Sequence, residues 1–176
     1  MDLKSKIRRI PEHKGVVFWD ITPLLKDKNS FKQCVTSIAD YYRNKDIDVV
    51  VSNEARGFII GAPVAHELGV GFVPIRKKGK LPHKVASLSY KKEYESDVIE
   101  IHEDGIKPGD RVLLVDDLLA TGGTIKANAD LVEQLGGNVI GMAFLVELEY
   151  LHPREYLGGK YEIYSLVCCK TTTEEG

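Results

Sequence analysis

The apolar positions of this 176-residue chain fall into two rhythms. Short continuous runs between polar turns read as strands buried on both faces. Residues 48–52, with Val49-Val50-Val51, are the first; Gly71 to Arg76 is the second; residues 111–117, with Val112 to Val115, are the third. Residues 138–148 contain a fourth and residues 161–167 a fifth. Between them the spacing turns helical. One helix is predicted over residues 57–68, closed by Gly69, and another over 124–135, closed by Gly136-Gly137. Upstream, Phe31, Cys34, Val35, Ile38, Tyr41 and Tyr42 mark a helix over 30–43, with Asn29 or Ser30 as N-cap. Residues 2–9 read as a short amphipathic helix stopped by Pro11. Strands alternating with helices predict an α/β fold around a parallel sheet. Ligands of such sheets lie beyond the carboxyl ends of the strands.

Residues 80–109 break this rhythm. They hold two weaker strand-like runs, Ala86 to Tyr90 and Val98 to His102, and end in the turn Pro108-Gly109. They read as an inserted, mobile hairpin over the ligand face, its loop at about residues 83–97. Charge is segregated here. Arg76, Lys77, Lys78, Lys80, Lys84, Lys91 and Lys92 are followed by Glu93, Glu95, Asp97, Glu100, Glu103 and Asp104. The acidic run reads most simply as a solvated face. Arg76 to Lys80 stand at a strand end, where cations would meet an anionic ligand.

The whole chain carries 24 Lys and Arg against 26 Asp and Glu, a net charge of −2, so no global basic field draws it to nucleic acid or anionic lipid. No apolar run approaches the roughly 18 residues of a membrane span, and the first nine residues lack the apolar stretch of a signal peptide. Of the three cysteines, Cys168 and Cys169 are adjacent, so no disulfide framework is indicated, and Cys34 falls on an apolar helix face. The five histidines show no metal-ligand spacing. The expectation is one cytoplasmic domain over residues 1–176 with a frayed tail at 170–176.

The most informative segment is Asp116-Asp117-Leu118-Leu119-Ala120-Thr121-Gly122-Gly123-Thr124. Two carboxylates stand where a buried strand emerges. Small residues and two glycines then let the backbone approach a ligand, and a helix start offers unpaired N–H groups. This is a phosphate cradle with acids beside it. Carboxylates repel phosphate, so their partners are sugar hydroxyls or a bound cation; a phosphorylated sugar satisfies both halves. The plain alternative is an ordinary N-capped helix after a Gly-rich turn. Neither Gly-Lys pair carries the upstream glycine of a Walker A loop, and Pro74 stands where Gly69-Val70-Gly71 would need the third glycine of a dinucleotide fingerprint. After the first strand, Arg56 beside Gly57 is either a surface arginine or a fork for a second anion. Gly15 to Asp20 reads by itself as a packing segment.

The segment from Val115 to Thr124 resembles the phosphoribosyl pyrophosphate (PRPP) signature of type I phosphoribosyltransferases. Asp20-Ile21-Thr22-Pro23-Leu24-Leu25, Glu54-Ala55-Arg56-Gly57-Phe58, Arg76 to Pro82 and Leu145-Val146-Glu147-Leu148 occur in the order and spacing of the adenine-using members of that family. The resemblance covers about residues 2–167. It implies a type I phosphoribosyltransferase fold: a central, mostly parallel sheet flanked by helices, with a small N-terminal hood (about residues 1–26) and a flexible catalytic hairpin. It implies transfer of the 5-phosphoribosyl group from PRPP to N9 of adenine, giving AMP and pyrophosphate, with Mg²⁺ arriving on PRPP. It also implies a homodimer, with neither nucleic acid nor membrane as partner.

The resemblance distributes the roles. Ala120, Thr121, Gly122, Gly123 and Thr124 would hold the 5′-phosphate. Asp116 and Asp117 would hold the ribose hydroxyls, and no residue would ligate the metal directly, Asp116 touching it through water. Glu54, Ala55 and Arg56 would form the pyrophosphate loop, with a non-proline cis peptide near these residues, and Arg76, Lys77 and Lys80 would add cations. Phe18 and Leu148 would clamp the base while the backbone of Val17 and Trp19 reads its edge. Glu147 would lie near the base or a structural amide. Glu93 would manage the proton on the adenine ring, with Tyr94 closing beside it; on residue type alone Glu93 is one carboxylate among many. Two positions depart from the family pattern. Trp19 replaces a common basic residue, which leaves open another 6-substituted purine, and His83 replaces a glycine at the loop hinge. A PRPP-sensing regulator without catalysis is the alternative of another class.

Overall fold

The computed structural model describes residues 2–13, 16–91 and 96–172. A 3-10 turn at Lys4–Lys6 precedes β1 (Arg8–His13), β2 (Val16–Asp20), α1 (Thr22–Lys26) and α2 (Lys28–Tyr42). Then come β3 (Val49–Asn53), α3 (Arg56–Leu68), β4 (Gly71–Lys77), β5 (Val85–Lys91) and β6 (Ser96–His102). The chain continues with β7 (Arg111–Leu119), α4 (Gly123–Gln134), β8 (Asn138–Leu148), a 3-10 turn at Glu149–Leu151, α5 (Pro153–Tyr156) and β9 (Ile163–Cys169). One seven-stranded sheet runs β5-β6-β4-β3-β7-β8-β9, and β1 and β2 make a separate two-stranded sheet. The ladders from β4 through β9 are parallel; β6 pairs antiparallel with β4 and with β5.

The apolar runs are continuous because the sheet is covered on both faces. Side chains alternate across a strand. Val50, Leu113 and Val115 join the core containing Cys34, Ile38, Ile60 and Val64 of α2 and α3. Their neighbours Val49, Val51, Val112 and Leu114 join the opposite core, with Leu131 and Val132 of α4. Cys34 is a core residue as expected, its thiol pushed up to about 12 by burial. Helix ends follow local chemistry. Gly69 takes a left-handed φ of 72°, and the N–H of Val70 reaches back to the Ala65 carbonyl. Gly136 (φ 89°) closes α4 in the same way, with Gly137 N–H on the Val132 carbonyl.

Some boundaries differ from expectation. The helix predicted over residues 2–9 is a single 3-10 turn followed by β1. Leu3 and Ile7 are buried as their spacing suggested, but so short a helix cannot sustain itself. Instead Arg8, Arg9 and Ile10 pair with Asp20, Trp19 and Phe18. Pro11 sits at the edge of a ladder, where its missing N–H is harmless. The N-cap of α2 is Asp27, not Asn29 or Ser30; its carboxylate accepts the Ser30 N–H at 2.8 Å. The last strand begins two residues later than predicted. The inserted hairpin is not separate from the sheet. Ile99 and Ile101 of β6 are buried in the α4-side core with Ile75. Among the described residues no helix is long and apolar enough to cross a membrane.

Candidate functional site

The carboxyl ends of β3 and β7 face one open cleft of about 260 Å³, lined by Glu54, Ala55, Arg56 and residues 116–125. Its floor is the turn into α4. Gly122, at φ 91°, is the helix N-cap, and no side chain caps the helix. The ordinary N-capped helix is therefore not what this turn builds: the first N–H groups of α4 are left for a ligand, at the positive end of the helix dipole. Only glycine serves at position 122. A Cβ there would lie 3.1 Å from Tyr156 Cδ1 and 3.5 Å from Leu157 Cγ, so α5 and the residue after it roof the turn.

Asp116 and Asp117 stand on β7, which runs two residues past its predicted end. Asp117 is 4% exposed, and its N–H donates to Asp116 Oδ1 at 2.9 Å. Burial pushes both carboxyls above the usual range; the charge of Asp117 drives Asp116 further, while Arg56 pulls Asp117 back. Gly57 makes room for this pair, since a Cβ there would sit 2.7 Å from Asp116 Oδ1. A buried acid with a half-buried acid beside it at a cleft wall calls for hydroxyl donors or a cation. Among the described residues no three His, Cys, Asp or Glu side chains converge as a metal cage. Asp116 and Asp117 supply hard oxygens that suit a Mg²⁺ ion carrying most of its ligands with it.

Arg56 Nε lies 2.9 Å from Asp117 Oδ2, and its guanidinium carbon lies 5.1 Å from the centre of the Phe18 ring. One cation thus spans a residue expected at the ribose and one expected at the base. The Glu54–Ala55 peptide bond is cis, as the resemblance implied. Glu54 turns its carboxylate toward the basic strand end, accepting from Arg76 Nε at 2.8 Å and Lys77 N at 2.9 Å. Burial alone would raise this carboxyl, but those two hydrogen bonds and the Arg76 charge hold it below the usual range. Glu54 therefore aims Arg76, while Lys77 and Lys80 stand exposed.

At the base end, Trp19 is 2% exposed and its indole belongs to the core that includes Leu3, Ile7 and Ile21. Trp19 therefore acts through the core beneath β2, against which Val17 also packs. Leu148 is also buried in that core, and neither it nor Phe18 lines the cleft proper. Glu147 is fully buried and held bidentately by Arg154, Nε and Nη2 each at 2.7 Å. His83 sits edge-on to His102, ring centres 6.2 Å apart.

Glu93 and Tyr94 lie outside the described residues, as do residues 173–176 of the expected tail. Sequence reasoning missed three participants. Tyr90 of β5 places its hydroxyl 3.4 Å from Thr124 Oγ1, joining the hairpin to the start of α4. Arg154 had no signal, being seven residues from its partner. Glu100 was one acid in an acidic run, yet it is 5% exposed.

Comparison with known proteins fits this geometry. Residues 20–174 match the model of the phosphoribosyl transferase domain family. The structure of adenine phosphoribosyltransferase from Thermoanaerobacter pseudethanolicus is similar at 50% identity and a TM-score of 0.90, over 95% of this chain and 98% of that one. The enzyme of the same name from Rhodothermus marinus is 44% identical, with a TM-score of 0.90 over 95% and 96%. That from Giardia lamblia, complexed with 9-deazaadenine, is 36% identical, with a TM-score of 0.92 over 97% of both chains.

Proposed function

The chain belongs to the phosphoribosyl transferase family, and on that premise we propose that it transfers the 5-phosphoribosyl group of PRPP to N9 of adenine, releasing pyrophosphate and forming AMP. The observation that carries this reading is one cleft holding two adjacent carboxylates, Asp117 buried and Asp116 half-buried, beside an uncapped helix start. The N–H groups and hydroxyls of residues 120–124 take the 5′-phosphate. Asp116 and Asp117 accept from the 2′ and 3′ hydroxyls and set negative charge beside C1′. When the bond from C1′ to pyrophosphate loosens, the ribose gains cationic character, which a fixed carboxylate stabilises most in a site closed to water. Asp116 would offer a hard oxygen to a Mg²⁺ ion arriving with PRPP, which would supply positive charge to the pyrophosphate.

Arg56, Arg76, Lys77 and Lys80 neutralise the leaving pyrophosphate, Arg76 aimed by Glu54. Phe18 stacks on the base, and the backbone of Val17 and Trp19 reads its edge. Leu148 backs the other face. Glu93 takes the base proton as N9 bonds to C1′, and Tyr94 closes the loop over it so that water does not hydrolyse PRPP. The reading includes a homodimer working in the cytoplasm. The test is turnover with labelled PRPP across a panel of purines. Conversion of adenine and not hypoxanthine supports the proposal. Conversion of another purine in its place, or PRPP binding without turnover on any base, overturns it.

A further inference from the structure

Arg76, Lys77, Lys78 and Lys80 crowd four positive charges into five residues at the end of β4. Like charges on flexible stems repel and scatter unless the backbone beneath them is fixed. Two carboxylates reach that backbone. Glu54 accepts the Lys77 N–H from the β3 side. Glu100 approaches from β6: its Oε2 accepts the Gly79 N–H at 2.8 Å, and its Oε1 lies 3.5 Å from Ser87 Oγ on β5. Gly79 has a left-handed φ of 79°, and the turn closes with Lys80 N–H on the Lys77 carbonyl at 3.2 Å. In the ladders Glu100 stands opposite both Arg76 and Ser87. With Ile99, which stands opposite Lys77 and Leu88, it occupies one of the two rungs shared by the strand carrying the basic turn and both strands of the hairpin. Its neighbours Ile99 and Ile101 anchor β6 in the core on the other face. Glu100 is not needed to hold its strand, yet it is a carboxylate at 5% exposure, which is costly unless it is hydrogen-bonded.

We propose that Glu100 is a positioning residue for the pyrophosphate end of the site. By holding the Gly79 N–H it fixes turn 77–80 to the hairpin, so that Arg76 and Lys80 stand ready for the anion. This rests on the function proposed above, which supplies pyrophosphate as the anion. Glu100 touches no substrate, so its loss acts on affinity at one end of the site and leaves the other end alone.

The test compares the wild-type protein with Glu100→Ala and Glu100→Gln. Three readouts are taken: KM for PRPP, KM for adenine, and calorimetric affinity for magnesium pyrophosphate. A charge-assisted hydrogen bond to a backbone N–H is lost in the alanine variant. KM for PRPP and the dissociation constant of pyrophosphate should each rise about tenfold, with KM for adenine within about twofold of wild type. Glutamine keeps a neutral acceptor for Gly79, so the rise should shrink to about threefold. Should Glu100→Ala fail to fold, the glutamine variant carries the same split. An unchanged pyrophosphate affinity in the folded variants overturns the inference, and so does an equal rise in both KM values. If the wild-type protein turns over no purine, the proposed function fails, while calorimetry with pyrophosphate still judges Glu100.

Discussion

Replacing Arg154 by methionine should expose how α5 is held over the phosphate turn. The substitution keeps the aliphatic stem and removes the charge that faces Glu147. Glu147 is fully buried and bonded through both oxygens at 2.7 Å, so removing its partner strands a carboxylate in the core. Breaking a buried ion pair from one side costs about 3–5 kcal/mol. The Arg154 side chain is 51% exposed, so water can reach the site from that side and the lower figure, about 3 kcal/mol, applies. For a chain of this length that is a fall in Tm of about 6–12 °C. The pH dependence has a definite sign. In the wild type, burial pushes the Glu147 carboxyl up, but the hydrogen bonds and charge of Arg154 outweigh it and hold it below the usual range. Its contribution is present above the unfolded carboxylate pKa and lost as pH falls through the lowered folded value. In the variant only the Ser165 hydrogen bond still opposes burial, the largest influence, so the folded pKa lies above the unfolded one and stability is lost as pH rises through it. The deficit should therefore be full near pH 7 and narrow as pH approaches 4. Urea unfolding at both ends of that range measures it. A Glu147→Leu/Arg154→Met double variant should recover at least half of the loss, because a well-packed apolar pair can replace a buried ion pair at little cost. A deficit under about 1 kcal/mol near neutral pH, or one equal at both pH values, would refute the reasoning.

Gly57→Ala should spare folding and impair the site. Alanine favours a helix over glycine by about 1 kcal/mol, but its Cβ would press Asp116 Oδ1 at 2.7 Å, so KM for PRPP should rise while Tm holds. Asp116→Asn should raise Tm near pH 7 by a few degrees. A group whose folded pKa is raised loses stability as pH rises through it, and the amide cannot ionise; the same variant should lose most of its turnover, and an unchanged Tm would contradict the burial argument. Glu93→Ala should lower turnover by about 10²–10⁴-fold without loss of folding, and wild-type turnover in the purified variant would remove Glu93 from the mechanism.

The sheet was legible because both of its faces are covered. Val49 to Val51 and Val112 to Val115 needed only the general rule for buried parallel strands. The cleft-lining turn into α4 was legible because one short segment carries acids, glycines and a helix start together. What failed depended on partners distant in sequence. Leu3 and Ile7 suggest a helix face locally, but the ladder between Arg8 and Asp20 decides the segment. Asp27, Asn29 and Ser30 are all able caps, and only the direction in which the chain enters α2 selects Asp27. Trp19 and Phe18 are adjacent apolar residues, and nothing local says that the indole enters the core while the ring next to it faces Arg56. Glu100 is invisible in an acidic run because Glu103 and Asp104 are solvated and it is not.

The position of Arg56 joins these threads. Asp117 is a buried acid whose carboxyl would lie higher still without Arg56 at 2.9 Å, and the same guanidinium lies over Phe18. The cation assigned to the leaving group thus also serves as counter-ion to the ribose acid. A ligand carrying only phosphates draws Arg56 away and leaves Asp117 without its cation. A ligand carrying only sugar hydroxyls satisfies Asp117 but offers Arg56 nothing in exchange. A molecule with hydroxyls at one carbon pair and a pyrophosphate on the next meets both demands at once. On the function proposed above, the whole of PRPP would therefore satisfy Arg56 and Asp117 together, which neither of its halves would do alone.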